Sequence, residues 1–382
     1  MSDIRGSVVD DEALAALTER ARREVDEGLL PTAQWALAVD GEVVAGETIG
    51  EAPAGEDTRF VIFSCTKAVV ASAIWQLLAE GSLRLQDRVA DLVPEFGSNG
   101  KDVITVEQVL LHTSGFPLAP LGPGAWDTRE GRLAAFDRWR LNWEPGSRFE
   151  YHATSAHWVL AELLERIDGV DHRTAVRRRV LEPLGLERLA LGVDATDAAD
   201  VARVRNVGDP PSAAEWEAVL GIPGFDLGEV TDDALLLFAD PANLSVGVPG
   251  GGAVSTAADL ALFYQALLSN PDELWDPEVL ADATDNVRNT FADPQTGVPA
   301  NRALSIVLAG DDGQAHMRGF GHRTGPRAFG HGGAGGQIAW ADPGRGSSFV
   351  WLTNGLDRHL IRQWRRTSGI ASKAGAATGP DA

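Results

Sequence analysis

The sequence predicts an α+β fold: one antiparallel sheet built from both ends of the chain, helices on its faces, and a mostly helical lobe between. Three observations point there. Strand-like segments fall into two groups, one before residue 64 and one after residue 300, and neither makes a good sheet alone. From Leu83 to about Leu244 helical segments alternate with Pro- and Gly-rich loops. A long apolar helix-like run, Ala68 to Glu80, separates the first strands from that block. The division expected is residues 1–82 with 245–370 as the sheet domain, 83–244 as the helical lobe, and 371–382 as a disordered tail. A cleft between the lobes would hold the functional groups.

Taken in order, Asp11 to Glu27 places Leu14, Leu17, Ala21 and Val25 on one helical face. Two strand-like runs, Ala33 to Val39 and Val43 to Gly50, flank Asp40-Gly41, a hairpin signal. Arg59 to Phe63 reads as a third strand, and the helix after it ends near Gly81. In the lobe, helices are expected from Thr105 to His112, with Thr105 and Gln108 in capping-box positions, then from Arg129 to Arg140, Thr154 to Ile167 and His172 to Leu181. Asp194 to Asp240 carries little pattern. Gly250-Gly251-Gly252 leads into a helix from Ala257 to Leu268. Strand-like runs follow from Ala303 to Ala309, Ala328 to Gly330, Gly336 to Ala341 and Ser348 to Thr353. A final helix is expected from Asp357 to Trp364, and the small, polar residues from Gly369 onward predict disorder.

Composition excludes several classes of function. The 382 residues are 44% hydrophobic and 23% charged, ordinary for a folded globular protein. The formal charge of −22 argues against nucleic acid or an anionic membrane as partner, since both need a basic surface. No run approaches the length of a membrane span, and the N-terminal residues show no signal-peptide pattern, so a cytoplasmic location is expected. The single cysteine, Cys65, has no internal disulfide partner and reads as a small buried residue. No metal site and no cofactor are expected.

The chemistry concentrates at Ser64-Cys65-Thr66-Lys67, a Ser-x-x-Lys run where a strand gives way to a helix. Residues three apart on a helix share a face, so hydroxyl and amine stand side by side. A serine nucleophile needs such a partner when a lysine takes its proton. The chain has only three lysines, Lys67, Lys101 and Lys373, against thirty arginines. Arginine could not replace Lys67 in this role, because its guanidinium does not release a proton in proteins. Tyr151, one of two tyrosines with Tyr264, follows the turn Pro145-Gly146 and offers a second proton-handling group. The glycine-rich run from Gly330 to Gly336 offers bare backbone for an oxyanion.

With these motifs the chain resembles the serine β-lactamase and penicillin-binding-protein superfamily, in its class C-like branch, and most closely the family VIII carboxylesterases. The resemblance covers roughly residues 10 to 368 and rests on several ordered motifs. They are the Ser64–Lys67 run, Leu110-Leu111-His112-Thr113-Ser114-Gly115, Pro145-Gly146 through Phe149-Glu150-Tyr151, Pro183-Leu184-Gly185-Leu186, Gly251 through Leu260, and His331-Gly332-Gly333. It implies a β-lactamase/transpeptidase-like fold. Ser64 resembles the acyl-accepting nucleophile, Lys67 its general base or the group that keeps the site's proton moving, and Tyr151 the second acid/base. The N–H groups of Ser64 and Ala334 resemble the oxyanion hole. The order in which Lys67 and Tyr151 take the first proton stays open.

Two departures from the class C pattern bear on substrate. The tyrosine motif Tyr-x-Asn is here Tyr151-His152-Ala153, and Lys-Thr-Gly is here His331-Gly332-Gly333. The amide and the fixed positive charge that suit β-lactams and D-Ala-D-Ala peptides are therefore missing from those positions. The expected function is hydrolysis of small carboxylic esters through an acyl-enzyme on Ser64. His331, Gly332, Gly333, His152 and Trp143 are candidate substrate contacts, Trp143 as part of an apolar acyl pocket. The alternatives are an amidase, D-peptidase or weak β-lactamase on the same site, or a sensor that acylates without turnover.

Overall fold

The computed structural model describes residues 9–51, 54–224 and 230–379. Strands β1 (Thr32–Val39) and β2 (Glu42–Gly50) form the expected hairpin. Asp40 and Gly41 at its tip have φ of 51° and 84°, the two positive values a type I′ turn requires. Short strands β3 (Phe60–Val61), β4 (Ala190–Leu191) and β6 (Ala253–Ser255) make a three-stranded sheet, and β5 (Arg205–Val207) pairs with β11 (Gly355–Asp357). The late strands are β7 (Val307–Leu308), β8 (Phe329–Gly333), β9 (Gln337–Asp342) and β10 (Ser347–Thr353). The main sheet runs β2-β1-β10-β9-β8-β7, antiparallel throughout, so it takes strands from both ends of the chain.

The two faces of this sheet follow from side-chain alternation. Trp35, Leu37, Ile338, Trp340, Phe349 and Trp351 point to one face. There they pack with Leu17 and Ala21 of helix α1 (Asp11–Asp26) and with Ile370 and Ala374 of the C-terminal helix Leu360–Ala377. The alternate residues Ala36, Ala38, Ala339, Ala341, Val350 and Leu352 face the larger core, which includes the helix Ala257–Ser269 and helix α2 (Thr66–Ala79). Small residues on that side let helices lie close to the sheet.

The disordered tail expected over 371–382 is corrected by the structure as far as it is described. The helix Leu360–Ala377 continues through this segment, with Ile370, Ala371, Ala374 and Ala377 buried at helical spacing. Their small size reads as polar and weak in sequence, yet it suits a helix pressed against neighbours. A Cβ on Gly375 would come within 2.9 Å of the Arg323 backbone. Residues 380–382 lie outside the described residues. The final helix also starts later than expected, because Gly355–Asp357 is strand β11. In the lobe, the helix from His172 is α-helical only over His172–Val176 and continues as a π-type turn over Arg177–Leu181. The poorly patterned stretch from Asp194 contributes the helices Ala213–Leu220 and Asp232–Phe238.

Candidate active site

Ser64 sits in a short 3₁₀ turn, Phe63–Cys65, that runs directly into α2. Strand β3 delivers it, paired to β6 through Phe60↔Ser255 and Val61↔Val254. Phe63 has φ 42° and is buried among Val61, Val193, Val254 and Leu356. A bulky residue in the left-handed region is a real outlier, held only because packing over-determines it. The sharp turn leaves Ser64 half-buried at the cavity while its neighbours are inside.

Helix α2 is apolar on nearly every side and is buried from Thr66 to Leu77, which takes Lys67 out of water. The Lys67 amine donates to Gly250 O at 2.6 Å and to Ala153 O at 2.8 Å, and lies 3.2 Å from Ser64 Oγ. Gly250 allows this approach, since a Cβ there would meet Ala153 O at 2.9 Å and Lys67 Nζ at 3.5 Å. Burial, with the Arg302 charge adding to it, holds the Lys67 pKa well below the ordinary lysine value. A neutral amine has two N–H groups and one lone pair. Two carbonyls take the N–H groups, and the lone pair is left facing the Ser64 hydroxyl.

Tyr151 is held by the motif from Leu110 to Gly115. His112 ends the helix Val106–Leu110 with φ 57°. Its carbonyl accepts from Glu150 N at 3.3 Å and its Nδ1 accepts from His152 N at 3.1 Å, so one residue clamps both neighbours of Tyr151. The Tyr151 ring lies 5.0 Å from the His112 ring centroid and 5.0 Å from Lys67 Nζ. Burial pushes the Tyr151 hydroxyl up to about 12, opposed by Arg302 and by the nearby Ser64 hydroxyl. Among the described residues none completes a hydrogen bond of normal geometry to Tyr151 Oη.

Strand β8 closes the other side. The Cys65 thiol donates to His331 O at 3.2 Å, which locks β8 against the Ser64 turn. Burial pushes that thiol up to about 12, so Cys65 is packing, not a competing nucleophile. Gly333 ends β8 and Ala334 opens a turn in which Gly335 has φ 79°. Ser64, Tyr151, His331, Gly332 and Ala334 all line one cavity of about 870 Å³. His331 is neutral, its pKa held well below the ordinary value by burial and by Arg302 and Lys67. Its Nδ1–H donates to Gly332 O at 2.7 Å, which leaves Nε2 as an acceptor 3.4 Å from Arg302 Nη1.

Three candidate contacts are placed elsewhere. His152 is fully buried behind the site: Nδ1 donates to Glu150 O at 2.6 Å and Nε2 accepts from Phe116 N at 3.2 Å. Trp143 points its indole N–H at Glu150 Oε2, 2.9 Å away, under the Arg148 guanidinium, and does not line the cavity. Gly333 is used for close packing, since a Cβ would meet Ile62 O at 2.7 Å. Arg302, which the sequence reading did not single out, does line the cavity, with its guanidinium 5.1 Å from the Tyr151 ring centroid and 5.2 Å from that of Phe149. Its local sequence, Asn301-Arg302-Ala303, carries no motif that could have marked it.

The chain is similar to several known proteins along most of its length. "Esterase/beta-lactamase LipL" of Mycobacterium tuberculosis is 29% identical over 360 residues, covering 85% of this chain and 77% of that protein. "Esterase EstB" of Burkholderia gladioli is 30% identical over 256 residues, 60% of this chain and 62% of that one. A penicillin-binding-protein homologue from Caulobacter crescentus superposes with a TM-score of 0.75 at 28% identity, covering 98% of this chain and all of that chain. A family VIII carboxylesterase shares the fold, with a TM-score of 0.76 at 22% identity over 96% of this chain and 98% of that chain. The beta-lactamase family model matches residues 17–369, and the chain belongs to that family.

Proposed function

We propose that this β-lactamase-family serine hydrolase cleaves small carboxylic esters through an acyl-enzyme on Ser64. The observation that supports it most is the Lys67 amine, pinned by two carbonyls with its third direction on Ser64 Oγ. In this reading Lys67 accepts the Ser64 proton as Oγ attacks the ester carbonyl. The N–H groups of Ser64 and Ala334 stabilise the oxyanion, an effect worth about 3 kcal/mol for each donor lost. Tyr151, neutral and with an unspent hydroxyl, protonates the departing alcohol. Water then attacks the acyl-enzyme carbonyl and gives its proton to the Tyr151 oxygen, the bond from the acyl carbon to Ser64 Oγ breaks, and Lys67 returns its proton to Oγ as the acid leaves. The relatives from M. tuberculosis and B. gladioli are both named esterases, which supports ester cleavage.

Lactam or amide cleavage on the same residues is the second reading, since one of those names couples esterase with beta-lactamase. Steady-state hydrolysis of p-nitrophenyl butyrate beside nitrocefin, with wild type and Ser64→Ala, separates the two. Ester turnover lost in Ser64→Ala, with little nitrocefin hydrolysis, is the expected result. Strong nitrocefin turnover would move the assignment to lactams. A burst without steady turnover would make the chain an acylated sensor, and full esterase activity in Ser64→Ala would overturn the site.

A further inference from the structure

Among the described residues four arginines are buried: Arg59, Arg132, Arg302 and Arg366. Arg59 pairs with Asp200, Arg132 with Glu165, and Arg366 with both Glu24 and Asp357. Arg302 has no carboxylate within ion-pair distance. Its Nε is buried without a hydrogen-bond partner, and its one polar contact is the 3.4 Å approach of Nη1 to His331 Nε2. Asp293, across the cavity, is the acidic group whose charge reaches it, and Asp293 Oδ1 already accepts from Gln295 N at 2.8 Å.

Leaving a buried charge unpaired is costly, and removing one partner of such a pair typically destabilises strongly. A chain that supplies three of these arginines with carboxylates and leaves the fourth bare in its principal cavity needs an explanation. The guanidinium is firmly held. Arg302 N donates to Asn289 O and Arg302 O accepts from Asn289 N, both at 3.0 Å, and the Asn289 side chain donates to Leu111 O at 2.9 Å. Two aromatic rings, Phe149 and Tyr151, flank the guanidinium. It is therefore pre-organised, with donors unspent, at the ring that also carries Lys67 Nζ on its other contact. Lys67 is in turn 3.2 Å from Ser64 Oγ, and Ser64, Tyr151 and Arg302 line the same cavity, so an ester seated on Ser64 shares it with the guanidinium.

We infer that Arg302 receives a carboxylate of the substrate, so that the preferred esters carry a second, anionic group beside the scissile bond. This rests on the reading of Ser64 as nucleophile and narrows its substrate class. A carboxylate accepts two parallel N–H bonds from a guanidinium, and His331 Nε2 orients Nη1 beside it. The fixed charge missing at His331 is thus supplied by a different segment of the chain.

The test compares matched anionic and neutral esters on wild type, Arg302→Gln and Arg302→Lys. On the acyl side the pair is mono-p-nitrophenyl glutarate against p-nitrophenyl pentanoate. On the alcohol side it is the butyrate of meta-hydroxybenzoate against that of meta-hydroxybenzamide. Wild type is expected to prefer the anionic member of one pair by about tenfold or more in kcat/KM, through KM, as a charge-assisted hydrogen bond predicts. Arg302→Gln is expected to abolish that ratio, whatever it does to the neutral rate. Arg302→Lys keeps the charge without the fork and should fall between, and it carries the test if the glutamine variant does not fold. An anionic-to-neutral ratio that is near one in wild type, or unchanged by both variants, overturns the inference. If wild type cleaves none of these esters, the esterase reading fails separately. Equilibrium binding of monoethyl glutarate against ethyl pentanoate, to Ser64→Ala with and without Arg302→Gln, then decides the role of Arg302. Equal binding of the two ligands overturns it.

Discussion

Lys67 and Lys101 are both buried amines, and what each faces separates them. Lys101 donates to Ser98 O at 2.6 Å and Trp139 O at 2.7 Å, and burial lowers its pKa to about 8. The Ser98 hydroxyl lies 3.3 Å from it but donates to Asp137 O at 2.5 Å and lines no part of the cavity. Lys67 has the same carbonyl anchoring, and its serine, Ser64, lines the cavity. Removing the Lys67 amine in Lys67→Ala should lower kcat/KM for p-nitrophenyl butyrate by about 10²–10⁴, the usual worth of a positioned base. The pH profile follows from the directions of the shifts. A protonated Lys67 cannot accept a proton, so kcat/KM rises with pH as Lys67 deprotonates. That rise should be complete well below the ordinary lysine pKa of 10.5. Tyr151 must stay protonated and is pushed up to about 12, so no fall is expected until strongly alkaline pH. Because the Arg302 charge helps depress Lys67, the acid limb of Arg302→Gln should move to higher pH. Tyr151→Phe deletes a hydroxyl that, among the described residues, completes no hydrogen bond of normal geometry, so thermal melting should hold or improve while kcat falls about a hundredfold.

At the scale of elements, the C-terminal helix carries more of the fold than its composition suggests. Arg366 binds Glu24 of α1 and Asp357 of β11, both at 2.6 Å, and Arg362 grips the same Asp357 at 2.6 Å and 2.8 Å. This buried network ties three elements together. Burial alone would raise the Asp357 pKa, but the hydrogen bonds from Arg362 and Arg366 win and hold it below the ordinary value of 3.8. Its stabilisation is therefore present above that value and lost only as pH falls through the lowered one. Asp357→Ala at neutral pH removes the carboxylate that Arg362 grips and one of the two that Arg366 binds, and should cost about 3–5 kcal/mol by urea titration. Truncation after Gly369 exposes the Leu17, Phe320 and Trp340 side of the core and should lower the urea midpoint clearly. An unchanged midpoint would mean that the last helical turns contribute nothing.

For the whole molecule, the net charge of −22 and the bare guanidinium in the cavity act in opposite directions on an anionic ester. The surface field repels such a substrate at long range and is screened by salt, whereas a buried contact is screened much less. Raising salt from about 10 to about 150 mM should therefore lower KM for mono-p-nitrophenyl glutarate and leave p-nitrophenyl pentanoate nearly unchanged. Among the described residues no helix is long and apolar enough to cross a membrane.

What short-range geometry controls can be read from residue order alone. Helical periodicity places a residue and its third neighbour on one face, so Ser64 and Lys67 were legible as a pair before any fold was known. The hairpin at Asp40-Gly41 and the capping box at Thr105 were legible for the same reason. Strands drawn from both ends of the chain implied a sheet that neither end could complete. Which groups reach the cavity depends on how distant segments pack. His152, next to Tyr151 in sequence, turns inward to tie the loop at Phe116, because adjacent residues in extended chain point opposite ways. Arg302, far from both in sequence, arrives beside Tyr151 because its backbone is paired to Asn289 at the base of a loop docked on Leu111. The small residues after Gly369 become an ordered helix only where α1 and the sheet offer a surface to bury them. Contacts of that kind depend on long-range closure of the chain, which residue spacing does not encode.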